Sequence, residues 1–294
     1  MASIRHGRGR AGAGWALWKT IATCAHTLGD HDEKATSARR GHWQPRENRV
    51  TEKAGTGTIT SMEAKTWMLD ELAHAGPEHL DPGFVAGFDR KQGYPDFSAD
   101  VSLLAAHGAG QEATVVDFGT GTGRFALAAA PHVRRVVAVD VSPAMLAVVR
   151  GRASAAGLGN IECVQAGFLS YQHTGPPCDA VFTRNALHQL PDFWKALALR
   201  RIAGVLRPGG VLRLHDLIFD FQPADASTVL ERWLDGGAAD PASGYTREDY
   251  AEHIRAEYST FRWLLEPMLA AAGFDIVAAD FSRQVYGAYT CVKR

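Results

Sequence analysis

The sequence has little cysteine and no long hydrophobic run. Four cysteines occur among its 294 residues, and none lies in a C-x-x-C pair or in a spacing typical of metal ligands. Because cysteines scattered through apolar runs usually act as small buried hydrophobes, we expect no disulfide framework, no bound metal and a cytoplasmic protein. A membrane-spanning helix needs roughly 18–20 consecutive apolar residues. No segment approaches this length, so we expect no membrane association.

An excess of charge of one sign is missing as well. The formal net charge is −1, with 46% hydrophobic and 21% charged residues. No basic stripe with interleaved aromatic residues is present, which argues against nucleic acid as a partner. The length allows one large α/β domain or two small ones, and nothing in the sequence indicates an oligomeric state.

The beginning of the chain differs in composition from the rest. Residues 1–61 carry ten lysines and arginines against five acidic residues, and their few aliphatic side chains follow no helical or strand period. Such a segment cannot bury enough apolar surface to offset the entropy lost on ordering. We therefore predict a disordered basic extension over residues 1–61 and one folded domain over residues 62–294. Organelle transit peptides are also rich in arginine, but the acidic residues here argue against that alternative.

Strands and helices alternate from Thr114 onward. Nearly continuous apolar runs read as strands, which is typical of a parallel sheet covered on both faces. The predicted strands are Thr114–Phe118, Arg135–Val139, Ile161–Gln165, Ala180–Thr183 and Val211–His215, and the predicted helices are Thr122–Ala130, Pro143–Ala156 and Pro191–Leu206. Two more strand runs, Phe274–Phe281 and Val285–Val292, should pair antiparallel because their link is too short for a crossover helix.

Further helical patterns flank this alternating core. One predicted helix covers Met62–Leu72, with Ser61 as its N-cap, and another lies near Asp100–His107. Residues from Pro223 to Ala272 read as helices broken at glycines, and Phe84–Phe97 is a segment rich in proline, glycine and aromatic residues.

The strongest functional signal is the run Val115–Gly123, which reads V-V-D-F-G-T-G-T-G. A glycine-rich turn between a strand and a helix lets the backbone pass close to a ligand, and the helix points its first N–H groups at the same place. Asp140 ends the next predicted strand. A carboxylate there can accept hydrogen bonds from both hydroxyls of an adenosine ribose, so the pattern predicts a nucleoside-containing cofactor.

Two other interpretations of this run stay open. A nicotinamide dinucleotide site has the fingerprint G-x-G-x-x-G, but this chain has Arg124 at the position of the last glycine. The Tyr-x-x-x-Lys pair Tyr289 and Lys293 lies on the final predicted strand and not on a helix that faces the cofactor. The other alternative is a tight turn and helix N-cap without a ligand.

Several stretches together resemble the class I S-adenosylmethionine (SAM)-dependent methyltransferases, in particular the ubiquinone/menaquinone-type enzymes. They are Val115–Gly123, Val137–Ser142, Cys178–Phe182 and Val205–Gly210, with Arg184–Leu190 similar to the family's loop after the fourth strand. The resemblance covers about residues 85–215. It implies a Rossmann-like α/β fold with a seven-stranded, mostly parallel sheet, helices on both faces, a C-terminal antiparallel hairpin and a helical cap over the acceptor site. It also implies SAM as cofactor and a small organic methyl acceptor.

The resemblance assigns roles to individual residues. Asp117 would orient the glycine loop and help to hold the amino group of the cofactor, and Asp140 would bind the ribose. Val141 and Met145 would pack on the adenine. Gly119, Gly121 and Gly123 would pass beneath the methionine part. The remaining cofactor contacts implied are Thr120, Gly167, Phe168, Arg184 and Asn185.

One departure from the family concerns the adenine. The family usually has an acidic residue after the third strand, which accepts a hydrogen bond from the adenine amino group. This chain reads Gln165-Ala166-Gly167-Phe168 there, and Gly167 has no side chain to do so. The adenine contacts are therefore expected to come from backbone groups and Phe168.

Methyl transfer from a sulfonium needs little acid–base machinery, because the cofactor carries the reactivity. If a base is required, His188 in the loop after the fourth strand is the candidate, and His215 with Asp216 is the candidate for substrate contact. Each histidine has a purely structural alternative, as a loop-bonding or a strand-end residue. Two other functions stay open: non-methyl chemistry on the same fold, and cofactor binding without catalysis. The aromatic residues expected around the acceptor are Phe88, Tyr94, Phe97, Trp233, Tyr245, Tyr258, Phe261 and Trp263.

Overall fold

The structure is a computed structural model that describes residues 66–294. Residues 1–65 lie outside the described part. The predicted extension and the first residues of the predicted helix Met62–Leu72 therefore fall there, and the domain boundary after residue 61 stays a prediction. Within residues 66–294, every helix is too short or too polar to cross a membrane.

A single sheet forms the centre of the described residues. Its strands are β1 (Thr114–Phe118), β2 (Arg135–Asp140), β3 (Ile161–Gln165), β4 (Cys178–Arg184), β5 (Leu206–Phe219), β6 (Thr260–Phe261), β7 (Phe274–Ser282) and β8 (Tyr286–Lys293). The order is β3-β2-β1-β4-β5-β8-β7, and the short β6 pairs with the end of β5. Strands β1 to β5 run parallel, while β8 is antiparallel to both β5 and β7. The mostly parallel sheet with an antiparallel C-terminal hairpin is confirmed.

Helices follow most of the strands, and local caps explain where several begin. The helices are α1 (Pro82–Lys91), α2 (Ser98–Ala106), α3 (Arg124–Ala129), α4 (Pro143–Ala155), α5 (Asp192–Val205), α6 (Ala226–Leu234), α7 (Arg247–Ala256) and α8 (Arg262–Ala272). Helix α4 begins after Ser142, whose hydroxyl accepts the N–H of Met145. Helix α7 begins in a reciprocal capping box between Thr246 and Asp249. Both arrangements satisfy N–H groups that would otherwise lack a partner.

Alternate residues of the strands build two cores. Val116 and Phe118 of β1 pack on one face of the sheet with residues of α5 and α8. Val115 packs on the opposite face with residues of α2, α3 and α4. Both faces are therefore covered by helices, as the continuous apolar strands predict.

The predicted helix Met62–Leu72 is wrong over its described part, because residues 66–72 form turns. The carboxylate of Asp70 accepts the N–H groups of Leu72 and Ala73. The next side chain, Glu71, reaches instead to the turn after β3. Such side-chain bonds to backbone groups compete with helical hydrogen bonds.

Other elements differ from the prediction as well, and three of them bear on the site or its surroundings. Helix α1 lies largely within the aromatic segment Phe84–Phe97, where no helix was expected; it starts at Pro82 because Asp81 accepts the N–H of Phe84. Strand β5 is longer than predicted at both ends, since its residues after His215 still pair with β8 and β6. The two-residue strand β6 has no apolar run of its own and could not be read from periodicity.

Helices α6 and α7 lie beside the far end of β5, where Trp233 of α6 packs with Leu217 and Phe219 of that strand. The amide of Gln92, just after α1, donates to the hydroxyl of Tyr245, just before α7. The N–H of Tyr258, which follows α7, donates to the backbone oxygen of His188. Helices α6 and α7, with the segment that joins them, therefore form a helical cap at the carboxyl edge of the sheet.

Candidate functional site

The turn between β1 and α3 depends on its glycines. Gly119, Gly121 and Gly123 have φ values of 66°, 53° and 79°, in the left-handed region that favours glycine. A Cβ atom at Gly119 would lie 2.3 Å from the Cβ of Ala186, in the loop after β4. A Cβ atom at Gly123 would lie 2.8 Å from the side chain of Val149. Gly123 therefore lets α4 pack closely against the turn.

Asp140 joins the end of β2 to this glycine turn. One carboxylate oxygen accepts the N–H of Gly121 at 2.8 Å, and the other accepts the N–H of Ser142 at 2.9 Å. Burial raises the pKa of Asp140, and the two hydrogen bonds oppose this rise. The carboxylate is thus fixed beside the turn in an orientation set by backbone groups.

Asp117 lies beneath the turn and is 2% exposed. The hydroxyl of Thr120 donates to its carboxylate at 2.6 Å. Burial raises the pKa of Asp117 to about 7; the bond from Thr120 opposes the rise, and the nearby charge of Asp140 adds to it. Its carboxyl group therefore titrates near neutral pH.

Two recesses meet at this turn, and both are lined by Phe88, Gly119, Gly121 and Asn185. The first encloses about 700 Å³ of space, part of it open to solvent. The predicted cofactor residues that line the first recess are Asp140, Val141, Met145, Gly167 and Phe168, and those that line the second are Asp117, Thr120 and Arg184. Of the predicted cofactor residues, Gly123 alone is outside both linings as the structure describes them.

The loop after β4 forms one wall of both recesses. Asn185 has a φ of 50°, unusual for a residue with a side chain. Its N–H donates to the backbone oxygen of His215 at 2.9 Å, which holds the turn in place. The guanidinium of Arg184 lies over the ring of Phe97 at 5.4 Å, and burial lowers its pKa. The wall is therefore built from residues with restricted conformations.

Glu71 is a residue of the first recess that the sequence interpretation missed. A Cβ atom at Gly167 would lie 2.4 Å from a carboxylate oxygen of Glu71. That carboxylate accepts the N–H groups of Leu169 at 2.9 Å and Ser170 at 3.0 Å, and the hydroxyl of Ser170 at 2.8 Å. A carboxylate thus occupies the place where Gly167 has no side chain, but it comes from a segment far earlier in the chain.

Helix α1 contributes Phe88, which the sequence predicted to lie near the acceptor, and Asp89, which the sequence did not single out. The ring of Phe88 covers Gly121, since a Cβ atom there would lie 3.5 Å from it. The neighbouring Asp89 accepts the hydroxyl of Thr122 at 2.5 Å and pairs with Arg152 at 2.7 Å. Helix α1 is therefore tied to the glycine turn. Its signal in the sequence is the N-cap pair Asp81-Pro82.

His188 lies on a short 3-10 turn after β4 and is 6% exposed. Its Nδ1 donates to Asp216 at 2.5 Å, and its Nε2 lies 3.2 Å from a carboxylate oxygen of Glu257. Burial lowers the pKa of His188, but the charges of Asp216 and Glu257 outweigh it and raise the pKa to about 10. The imidazole is held between two carboxylates.

His215 of β5 belongs to a second polar cluster, which it forms with Asp100 of α2. Its Nε2 lies 2.8 Å from Asp100, which also accepts the guanidinium of Arg213 at 2.8 Å. Neither His188 nor His215 is among the described residues that line the two recesses. Their catalytic roles stay predictions.

The sequence of this chain is similar to those of known methyltransferases. Residues 115–210 match a family model described as a methyltransferase domain. An uncharacterised methyltransferase of Anoxybacillus flavithermus is 25% identical over 172 residues, which cover 58% of this chain and 74% of that protein.

Solved structures show the same fold. A SAM-dependent methyltransferase from Clostridium acetobutylicum superposes with a TM-score of 0.55 and 12% identity over 72% of this chain and 98% of that chain. Magnesium protoporphyrin IX methyltransferase from Synechocystis, solved with bound S-adenosylhomocysteine, superposes with a TM-score of 0.54 and 16% identity over 76% of this chain and 100% of that chain.

Proposed function

Because this chain is a class I SAM-dependent methyltransferase, we propose that it transfers the methyl group of SAM to a small organic acceptor. The matched residues 115–210 include β1, β2 and the glycine turn, which contribute part of the lining of the two recesses. The observation that carries the proposal is the helical cap beside these recesses, which offers little charge to a polyanion. The ubiquinone/menaquinone subgroup stays a prediction.

Two of the three arginines between α6 and the end of α7 are paired within the cap, and the third, Arg232, is exposed on α6. Arg247 lies against Glu231 and Asp235, and Arg255 against Glu248 and Glu252. Proteins that methylate nucleic acids need unpaired lysines and arginines that neutralise phosphates. The cap therefore favours an uncharged or weakly charged small molecule.

The linings of the two recesses support one orientation of SAM as a proposal. Val141 and Met145 offer an apolar surface to the adenine in the first recess, and Asp140 is placed to accept the ribose hydroxyls. Glu71 is placed to accept from the adenine amino group. In the second recess Asp117 is placed to attract the cationic amino group of the methionine part. Thr120, Phe168, Arg184 and Asn185 complete the two linings.

When bound, SAM supplies a methyl group that is already activated on a sulfonium sulfur. The protein's contribution is therefore to bind two molecules and to align the accepting atom with that methyl group. The rigid wall after β4, with Asn185 and Arg184 at fixed positions, is suited to this alignment.

Replacing Glu71 with glutamine should weaken SAM binding by about tenfold. The glutamine keeps the length of the side chain but removes the charge of the acceptor, and a hydrogen bond to a charged group contributes about 1.5–3 kcal/mol. We expect S-inosylhomocysteine, which has an oxygen in place of the adenine amino group, to bind the wild-type protein poorly. Calorimetry gives the dissociation constants of S-adenosylhomocysteine and of this analogue, and their ratio measures the preference for adenine.

The preference for S-adenosylhomocysteine over S-inosylhomocysteine should disappear in the Glu71→Gln variant. An amide can accept a hydrogen bond from the adenine amino group or donate one to the oxygen of the analogue. Glu112→Gln, which changes an exposed glutamate, is the matched control and should keep the preference. If Glu71→Gln still prefers the adenine ligand by the wild-type ratio, Glu71 does not contact the base.

The affinity for SAM should fall as the pH is lowered through 7. Asp117 has a pKa of about 7 in the ligand-free protein, and only its ionised form attracts the cofactor's cationic amino group. Below this pH, binding has to remove a proton from the carboxyl group, so Kd should rise by nearly tenfold per pH unit. Calorimetry between about pH 5.5 and about pH 7.5 measures this slope.

The variant Asp117→Asn cannot ionise, so its binding should be weak and nearly independent of pH in this range. Asp140 is the other buried carboxyl group of the cleft with a raised pKa, and it is unchanged in this variant. A slope that persists in Asp117→Asn would assign the titration to Asp140 and contradict the role given to Asp117.

A further inference from the structure

Beside the loop after β4, three side chains bring potential metal-ligating atoms together. They are His188 from that loop, His253 from α7 and Glu257 at the end of α7. One nitrogen of each imidazole and one carboxylate oxygen all lie within 4.8 Å of one another. The two imidazole rings are 4.9 Å apart. The cluster is formed only when α7 packs against the sheet, so its ligands come from distant parts of the chain.

Each imidazole uses its other nitrogen for a hydrogen bond. Nδ1 of His188 donates to Asp216, whose carboxylate also accepts the N–H groups of Leu187 and Leu217. Nε2 of His253 is bonded to the hydroxyl of Ser259 at 2.7 Å. Histidines that bind metals are usually oriented in this way by an oxygen on the far nitrogen. Nε2 of His188 and Nδ1 of His253 are left to face Glu257.

The carboxylate of Glu257 supports the same assignment. Its buried Oε2 faces the same two nitrogens, 3.2 Å from Nε2 of His188 and beside Nδ1 of His253. Together with Asp216, Glu257 also gives the cluster two buried or half-buried carboxylates. A divalent cation that displaces the proton His188 holds toward Glu257 would balance both charges.

We propose that His188, His253 and Glu257 bind a divalent first-row transition-metal ion, with zinc as the reference ion. Two imidazoles and a carboxylate are a ligand set common to zinc and iron sites. Three protein ligands leave a coordination position for water or for an oxygen of the acceptor. Gln189 lines the first recess, and its amide nitrogen lies 3.2 Å from Nε2 of His188, so the cluster adjoins the cleft. A role of the ion in binding the acceptor rests on the proposed function, whereas the binding of the ion to these three residues does not.

The test uses the full chain, freed of metal with a chelator and then dialysed against buffered zinc. Mass spectrometry of the dialysed protein should find one more bound zinc ion in the wild type than in His253→Ala or Glu257→Gln. Loss of one ligand should weaken this site by at least about a hundredfold, since removal of a partner behind a ligand already costs about ten- to a hundredfold. His132→Ala, which removes an exposed histidine, is the matched control and should bind like the wild type.

Cobalt provides a second measurement, because its visible absorption reports imidazole and carboxylate ligands directly. The wild type should develop these bands on titration, and Glu257→Gln, which preserves the shape of the side chain, should not. Circular dichroism and the melting temperature establish that the variants are folded. Equal zinc content in the wild type and both variants, with no cobalt bands, would show a cluster of ion-paired imidazoles and overturn the metal site. Binding of SAM and methyl transfer are measured separately, so their loss or survival bears on the proposed function alone.

Discussion

A valine at position 121 should abolish measurable SAM binding, raising Kd by at least about a hundredfold. Gly121 and Phe88 line both recesses. A Cβ atom at Gly121 would lie 3.5 Å from the ring of Phe88, at ordinary contact distance. The branched side chain would therefore fill the space between the loop and that ring, which a ligand spanning both recesses has to cross. Calorimetry with SAM and with S-adenosylhomocysteine measures the loss.

The chain offers a matched control for the backbone strain of this substitution. Gly157 has a φ of 67°, against 53° at Gly121, and no atom lies within 4 Å of a Cβ added there. A valine at either position adopts an unfavourable left-handed conformation, at a cost of about 1–3 kcal/mol. Gly157→Val should therefore lower the melting temperature but keep SAM affinity. If Gly121→Val binds SAM as tightly as Gly157→Val, the cofactor does not pass this turn.

Asp140→Ala should weaken SAM binding by about ten- to a hundredfold. The substitution removes the charged acceptor for the ribose hydroxyls, and each lost bond of this kind costs about 1.5–3 kcal/mol. It also removes the anchor of the Gly121 N–H, which adds to the effect. Calorimetry on a variant that keeps its circular dichroism spectrum measures the change.

Asp280→Ala removes an exposed carboxylate on β7 and is the control for overall charge. It should bind SAM like the wild type. A comparison of SAM with its 2′,3′-dideoxy analogue separates the ribose from the loop: the wild type should prefer SAM, and Asp140→Ala should not. Unchanged binding in the folded Asp140→Ala variant would contradict the assignment.

The parts of the fold that follow from local sequence could be predicted closely. Strands β1 and β3 have the predicted ends. Strand β1 stops at the glycine turn, and β3 begins after the polar residue Asn160. The juxtaposition of Asp117 and Asp140 follows from the same logic, since the carboxyl ends of neighbouring parallel strands meet at one edge of the sheet.

Contacts between distant segments could not be predicted. Glu71 lies in a stretch whose local pattern favours a helix, and only the packed turn after β3 draws its carboxylate away. The missing side chain of Gly167 was visible in the sequence, but nothing in a single sequence indicates which carboxylate replaces it. His188 and His253 come together only through the packing of α7. The sequence prediction about metals considered cysteine spacing alone and therefore did not consider these two histidines.

Incubation of the full chain with SAM that carries a labelled methyl group and with a cell extract tests the central proposal most directly. The extract is first separated into small molecules, protein and nucleic acid. We expect S-adenosylhomocysteine to form, and the label to appear in a compound of the small-molecule fraction whose mass increases by one methyl group. Labelling by Asp140→Ala should fall by about ten- to a hundredfold at a SAM concentration below the Kd of the wild type. Label confined to the protein or nucleic-acid fraction would contradict a small organic acceptor.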